Sequence, residues 1–329
     1  TLNMSGSLGF TIPVTGLPAQ EKKVAEQYKE ADFWMLRQAE LDFLRSLDQA
    51  WSKLAVTQRR KSVIQDRLAV LKKENGMIEK LIGAGEVEFS SRQVASQRMN
   101  DAIREFQNVT EAELEQQMEL VKLMGMHPSS APRLRFLTGQ GFSLPAAVAA
   151  PSPAALMESP KVKAQMATYA TTETLLKTEI RRQYPELELG PSFTRDDGEK
   201  EVGGEIGFNI PLWNRNRKAI AEARGVRNTA RLETVQLWKT ELFNARQLEA
   251  TQQMVIRHCR TELQRMESFS SSVQTMEKLH GIGEASLLEL AENRHQLYES
   301  RLAFLDSLDK LLGIQAQLRY ITHANLQSK

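Results

Sequence analysis

The sequence predicts a mainly α chain with transmembrane β-strands, built as an internal two-fold repeat. Three observations predict it. Leu, Ala, Glu, Gln, Lys and Arg dominate the 329 residues and aromatics are sparse, a composition that favours long helices. "GSLGFTIP" at 6–13 returns as "GEIGFNIP" at 204–211, and "EKLIGAGE" at 79–86 returns as "EKLHGIGE" at 277–284. Both pairs lie 198 residues apart, so neither copy tolerates an insertion between its strand motif and its glycine motif. Finally, apolar and polar residues alternate over segments of ~10 residues, the length of a tilted transmembrane β-strand.

The first copy is expected at 1–126. It opens on an inner strand in which Leu2, Met4, Leu8, Phe10 and Ile12 oppose Thr1, Asn3, Ser5, Ser7 and Thr11. From about Gln20 to Lys80 there is no proline and one glycine, Gly76, which reads as one long helix. At 1.5 Å per residue such an element approaches ~100 Å, and it needs lateral partners along its length. Leu81, Gly83, Gly85 and Glu86 then form a glycine-marked tip before a return helix. Residues 127–158 are rich in Pro, Gly, Ser and Ala and read as a connector rather than a helix.

The second copy is expected at 159–329. A helix starts after Pro160 with Ser159 as its cap and runs to about Tyr184. A hairpin follows at 185–212, turning at Asp197–Gly198. Leu187, Leu189, Pro191, Phe193, Val202, Ile206, Phe208, Ile210 and Leu212 occupy one side. Glu186, Glu188, Gly190, Ser192, Thr194, Glu201, Gly203, Glu205, Gly207 and Asn209 occupy the other. Lipid outside and water inside account for that polarity, and a hairpin half-buried on a soluble core accounts for the alternation equally well. It does not account for two such segments, each fused to a very long helix. Trp213 stands where an interfacial aromatic would, and Arg215, Arg217 and Lys218 are placed for anionic headgroups.

The long helix of this copy is expected at 213–280, its tip at 279–286 and its return helix at 287–322. Gly281 and Gly283 end one helix, and Ser286 or Glu284 can serve the start of the next. The return helix carries two adjacent heptad seams. One runs through Leu287, Leu290, Arg294, Leu297, Arg301, Phe304, Leu308 and Leu311, the other through Leu288, Ala291, His295, Tyr298, Leu302, Leu305, Asp309 and Leu312. Two seams suit a helix wedged between two neighbours; a broad core face of a globular bundle is the alternative.

Global properties exclude several classes. A net charge of +2 gives no field that recruits nucleic acid. The single cysteine, Cys259, excludes an intrachain disulfide framework. No basic-then-apolar leader is visible at the start, and no apolar run approaches the ~18 residues of a spanning helix. The five histidines are scattered and the twelve methionines do not cluster. There is no HExxH, Walker, GxSxG or dinucleotide motif. No catalytic, cofactor-binding or metal-ligating residue is therefore assigned, and the expectation is a non-enzyme without cofactor.

These motifs resemble the TolC-like outer membrane efflux protein family. "GFNIPLWNRNRKAIAEAR" (207–224) looks like the strand-to-helix junction of its CzcC-like branch, which serves heavy-metal RND exporters. "GEASLLELAENRHQLYESRLAFLDSLDKLLGIQAQL" (283–318) is similar to the family's periplasmic tip and return helix. The resemblance implies a homotrimer, with a long periplasmic α-barrel and an outer-membrane β-barrel to which each subunit gives four strands. It implies that the tips, Leu81, Gly83, Gly85 and Glu86 with Leu279, Gly281, Gly283 and Glu284, meet a periplasmic adaptor (membrane fusion) protein that links the channel to an inner-membrane RND pump. It places an acidic pore ring at Glu289 and Glu292; two solvated surface glutamates are the alternative. It makes Glu186, Glu188, Glu201 and Glu205 barrel-lumen residues, and Trp213, Arg215, Arg217 and Lys218 contacts for outer-membrane lipid. Where the family's inter-helix lock has Tyr, Arg and Asp, this chain has His280, Ala285 and Ser91. The helix and strand at 159–194 have no counterpart 198 residues earlier, so the first copy is expected to lack its N-terminal part and the chain to supply three strands.

The function expected is a passive outer-membrane exit duct of a tripartite efflux system, localised to the outer membrane and reaching into the periplasm of a Gram-negative cell. The acidic lumen and the branch resemblance favour heavy-metal cations. Multidrug efflux or type I secretion is the alternative, and a soluble periplasmic coiled-coil scaffold or adaptor is the alternative from another class.

Overall fold

The computed structural model describes residues 4–12, 15–86, 88–127, 142–196, 199–208 and 215–322. In chain order the elements are β1 (Met4–Ser7), β2 (Phe10–Ile12), α1 (Leu17–Gly83), α2 (Phe89–Leu123), α3 (Pro153–Met157), α4 (Pro160–Arg181), β3 (Leu187–Asp196), β4 (Glu199–Phe208), α5 (Arg217–Gly281) and α6 (Leu287–Arg319). They form two compact units, 1–40 with 152–243 and 41–151 with 244–329, and the 67-residue α1 and 65-residue α5 contribute to both. The proline-free stretches are thus single helices. The Pro/Ser-rich connector differs from expectation at 153–157, where α3 forms. Its signal is local: Ser152 caps through Oγ, accepting from the Ala155 N–H at 3.1 Å, and Pro153 sits in the first turn, where a missing N–H costs nothing.

The first unit holds one antiparallel sheet with β3 in its centre. β4 pairs along one side of β3 from Leu187↔Phe208 to Asp196↔Glu199. On the other side β1 (Met4↔Arg195) and β2 (Phe10↔Leu189) continue in one unbroken register. They are two pieces of one strand, interrupted at Leu8–Gly9, so the sheet has three lanes rather than four. Pro191 is the cause. Its carbonyl accepts from the Leu8 N–H at 3.1 Å, but it has no N–H to return to the Leu8 carbonyl.

The same unit wedges α4 between the two long helices. Lys163 lies over the Trp34 ring of α1, 4.6 Å from its centroid. Toward α5, Lys161 pairs with Glu241 at 2.7 Å and Glu173 with Arg227 at 2.8 Å. The buried spine of α4 is Thr171, Thr174 and Thr178, each hydroxyl donating to the carbonyl four residues earlier. That local bond satisfies a buried hydroxyl and keeps the helix narrow enough for two neighbours.

The second unit packs parts of α1 and α5 with α2 and α6. Its main core joins Val56, Val63 and Ile64 of α1, Val109 of α2, and Val255, Ile256 and Cys259 of α5 to Leu290, Leu297, Phe304 and Leu311 of α6. Both seams of α6 are occupied: Leu297, Phe304 and Leu311 in one, Ala291, Tyr298 and Leu305 in the other. The connector closes over this core. Phe142 meets Phe304 edge to face, with centroids 5.6 Å apart. The fully buried Gln252 donates to the Val148 carbonyl at 2.8 Å and accepts from the Val148 N–H at 2.9 Å. Gln315 donates to the Ala146 carbonyl at 2.8 Å.

Candidate functional site

The register of the sheet sorts its side chains into two chemistries. Residues paired across strands share a face, so Leu8, Phe10, Ile12, Leu187, Leu189, Phe193, Val202 and Ile206 lie together. Glu188, Ser192, Thr194, Glu201 and Glu205 lie on the opposite face. Among the described residues nothing covers the apolar face: Leu8 is 69%, Ile206 65% and Val202 79% exposed. A contiguous exposed apolar face of this kind marks contact with lipid or protein. Glu186 immediately precedes β3. Small residues keep the polar side low, and one of them is compulsory. A Cβ on Gly190 would run into the Leu8 carbonyl oxygen.

The passage from strand to helix is built on a residue that sequence reasoning missed. Trp213 lies outside the described residues. Arg215 and Asn216 both have positive φ, 39° and 51°, a region costly for side chains other than Gly, Asn or Asp. Asn216 holds that turn by donating its amide to the Glu179 carbonyl at 2.9 Å and to the Glu179 carboxylate at 2.7 Å, while its own carbonyl accepts the Ile220 N–H. The available signal was an asparagine just before a helical run. Arg215, Arg217 and Lys218 are exposed around this turn.

The two tips are the same structure. At the first, the Glu86 N–H donates to the Leu81 carbonyl at 3.0 Å and Gly85 takes φ +74°. At the second, the Glu284 N–H donates to the Leu279 carbonyl at 2.9 Å and Gly283 takes φ +79°. This is the Schellman termination, in which only glycine adopts the left-handed position without cost. Gly83 and Gly281 are the last residues of α1 and α5. Leu81 and Ile82 pack against Ile78, Ala95 and Leu287, while Ile282 and Phe89 stay exposed. His280 and Ala285 come together, the ring Nδ1–H donating to the Ala285 carbonyl at 3.0 Å; Ser91 is not part of that contact.

The two candidate ring carboxylates have partners inside the chain. Glu289 accepts from the Ser286 N–H at 2.9 Å and hydroxyl at 3.0 Å, and Ser286 Oγ accepts from the Glu289 N–H at 3.2 Å. This capping box starts α6, and its S-x-x-E spacing was readable in the sequence. The Ser286 backbone N–H holds the Glu289 carboxyl below its ordinary range. Glu292 accepts from Gln296 at 2.9 Å and from Arg98 of α2 at 2.7 Å, and both contacts lower its pKa.

Behind that pair lies a network that no motif announced. Arg67 of α1 covers the Tyr298 ring, reaches Glu105 at 3.7 Å and Glu299 at 3.6 Å, and donates to His295 Nδ1 at 3.3 Å. Arg294 joins Glu74 of α1 at 2.9 Å to Glu277 of α5 at 2.8 Å. Burial, then Arg67, holds His295 below its ordinary value, and burial pushes the Tyr298 hydroxyl well up. Cys259 is buried and its thiol is pushed up by desolvation, an inert setting. Among the described residues no group of three or more His, Cys, Asp or Glu could hold a metal ion. Among them, too, no helix is long and apolar enough to cross a membrane.

No protein-family model matches the sequence, and no curated protein is similar to it in sequence. Solved structures are similar in fold. The outer membrane protein VceC of Vibrio cholerae superposes with a TM-score of 0.80 at 14% identity, over 97% of this chain and 79% of that one. The open-state outer membrane channel MtrE of Neisseria gonorrhoeae gives 0.78 at 13% identity, over 99% and 81%. The outer membrane channel CmeC of Campylobacter jejuni gives 0.77 at 13%, over 97% and 70%. The chain therefore has the fold of a TolC-like outer-membrane channel subunit, mainly helical with an internal two-fold repeat.

Proposed function

We propose that this chain is the subunit of a passive outer-membrane exit duct in a tripartite efflux system. The observation that carries the reading is the two-faced sheet. Its apolar face is exposed, its opposite face carries Glu188, Glu201 and Glu205, and among the described residues the outer edges of β4 and of the β1/β2 lane have no strand partner. Joining edges around a three-fold axis would close a barrel, put the apolar face in lipid and turn the acidic face, with Glu186 at its end, to the lumen. Trp213, Arg215, Arg217 and Lys218 then mark the periplasmic headgroup level of the outer membrane. Three such subunits form a homotrimer extending into the periplasm of a Gram-negative cell. Its two glycine tips, Leu81–Glu86 and Leu279–Glu284, receive a periplasmic adaptor, and an inner-membrane RND pump supplies the energy.

The cargo read from the acidic lumen is a heavy-metal cation, in line with a CzcC-like branch. Glu289 and Glu292 narrow the pore near the tips, Glu289 through the carboxylate oxygen its cap leaves free. Electron-microscopic projections of detergent-extracted protein test the architecture, and hollow trimeric cylinders are expected. Monodisperse soluble monomers without detergent would overturn it. Deletion of the gene tests the cargo: sensitivity to divalent metals should rise, and unchanged metal tolerance with raised dye sensitivity would replace metals by drugs.

A further inference from the structure

In the second unit α1 and α6 leave a cavity of about 200 Å³. Val63, Val70 and Leu71 of α1, Val273 of α5 and Leu297 of α6 form apolar walls. Four guanidinium groups, those of Arg67, Arg98, Arg294 and Arg301, line it together with the His295 ring. The acids in the wall are Asp66 and Glu74.

Three of these arginines are compensated. Arg67 has Glu105 and Glu299, Arg98 has Glu292, and Arg294 has Glu74 and Glu277. Arg301 differs. Its Nε is buried without a hydrogen-bond partner among the described residues. Asp66 acts on it only from a longer range, while burial and Arg59 work against its charge. A buried polar atom in a native protein ordinarily has a partner. Arg301 also lines a neighbouring hollow of about 440 Å³, together with Glu267, Ser270, Ser271 and Gln274.

We propose that this cavity binds small organic anions with an apolar body, aryl or short alkyl carboxylates, with Arg301 as the anchoring cation. A guanidinium matches a carboxylate with two parallel donors. The apolar walls accept the rest of such a molecule, since an enclosed apolar cavity of about 150 Å³ already accepts benzene. A fully hydrated inorganic anion has no use for the valine and leucine walls. The proposal does not rest on the duct reading above.

The test uses benzoate and its neutral isostere benzamide on the purified full chain in detergent, followed by saturation-transfer NMR and calorimetry. Benzoate should bind saturably, and benzamide should fail to compete. Arg301→Gln should weaken benzoate by about 10- to 100-fold, the loss of a charge-assisted bond, while Arg301→Lys retains part of the affinity. Equal binding by the wild type and Arg301→Gln would overturn the proposal. So would benzamide matching benzoate on the unmodified protein, a comparison that holds even where a variant fails to fold. Absence of saturable benzoate binding to the wild type would overturn it as well.

Discussion

The guanidinium carbon of Arg67 lies 3.8 Å from the centroid of the Tyr298 ring, and the hydroxyl of that ring donates to Glu105 at 2.6 Å. One side chain of α6 thus joins a cation from α1 to a carboxylate from α2. Tyr298→Phe keeps the ring under the cation and removes only the donor. A lost hydrogen bond to a charged group costs about 1.5–3 kcal/mol, and thermal melts should fall accordingly. Tyr298→Leu should fall further, since it also removes the cation–π contact.

Gly190 and Gly204 make a matched pair for the sheet. A Cβ on Gly190 collides with the Leu8 carbonyl oxygen, whereas a Cβ on Gly204 meets nothing within 4 Å. Gly190→Ala should cost about 1–3 kcal/mol, as overpacking does, and prise the β1/β2 lane from β3. Gly204→Ala should be near neutral. The yield of protease-resistant protein and its melting temperature separate the two.

The capping box at Ser286 gives a signed pH dependence. The folded Glu289 pKa is lowered, chiefly by the Ser286 N–H, so the contribution is present above the ordinary glutamate value near 4.3 and is lost as pH falls through the lower folded value. Glu289→Gln should flatten the acid limb of stability against pH and leave neutral pH less affected. Ser286→Ala should cost about 1 kcal/mol at neutral pH. Melting curves from neutral pH down through the carboxylate range check both.

Gln252 fastens the connector. Its side chain, 2% exposed, satisfies both backbone groups of Val148. Gln252→Leu keeps the volume and leaves the part-buried N–H and C=O of Val148 without their partner, at about 1 kcal/mol each. Limited proteolysis within 142–151 should accelerate well beyond any change in the helices.

Much of this molecule was legible because its signals are local or periodic. Alternation along 187–194 and 201–206 sorts the two faces of the sheet without knowledge of the strand order. Leu81 with Gly85 and Leu279 with Gly283 announce two helix ends, because the left-handed residue must be glycine. The rest depended on residues far apart in the chain. Arg67, Glu105 and Tyr298 meet only once three helices are packed, and nothing near any of them in sequence marks the meeting. Glu289 was read for its place in a resemblance, and its bond to Ser286 shows a structural employment as the helix cap. Asn216 was passed over because a positive φ leaves a weak trace in sequence unless glycine carries it.

The identical termini of α1 and α5 also set a rotational constraint. Each residue added to an α-helix turns everything beyond it by about 100°. A one-residue insertion within α1 would therefore swing the face of its terminal turn by more than a quarter circle, although the Gly85 termination itself would form unharmed. Seven added residues, nearly two full turns, would almost restore the original facing. The shared 198-residue spacing thus keeps two helices in angular step, and length variants of either one should be tolerated in multiples of about seven and rejected in between.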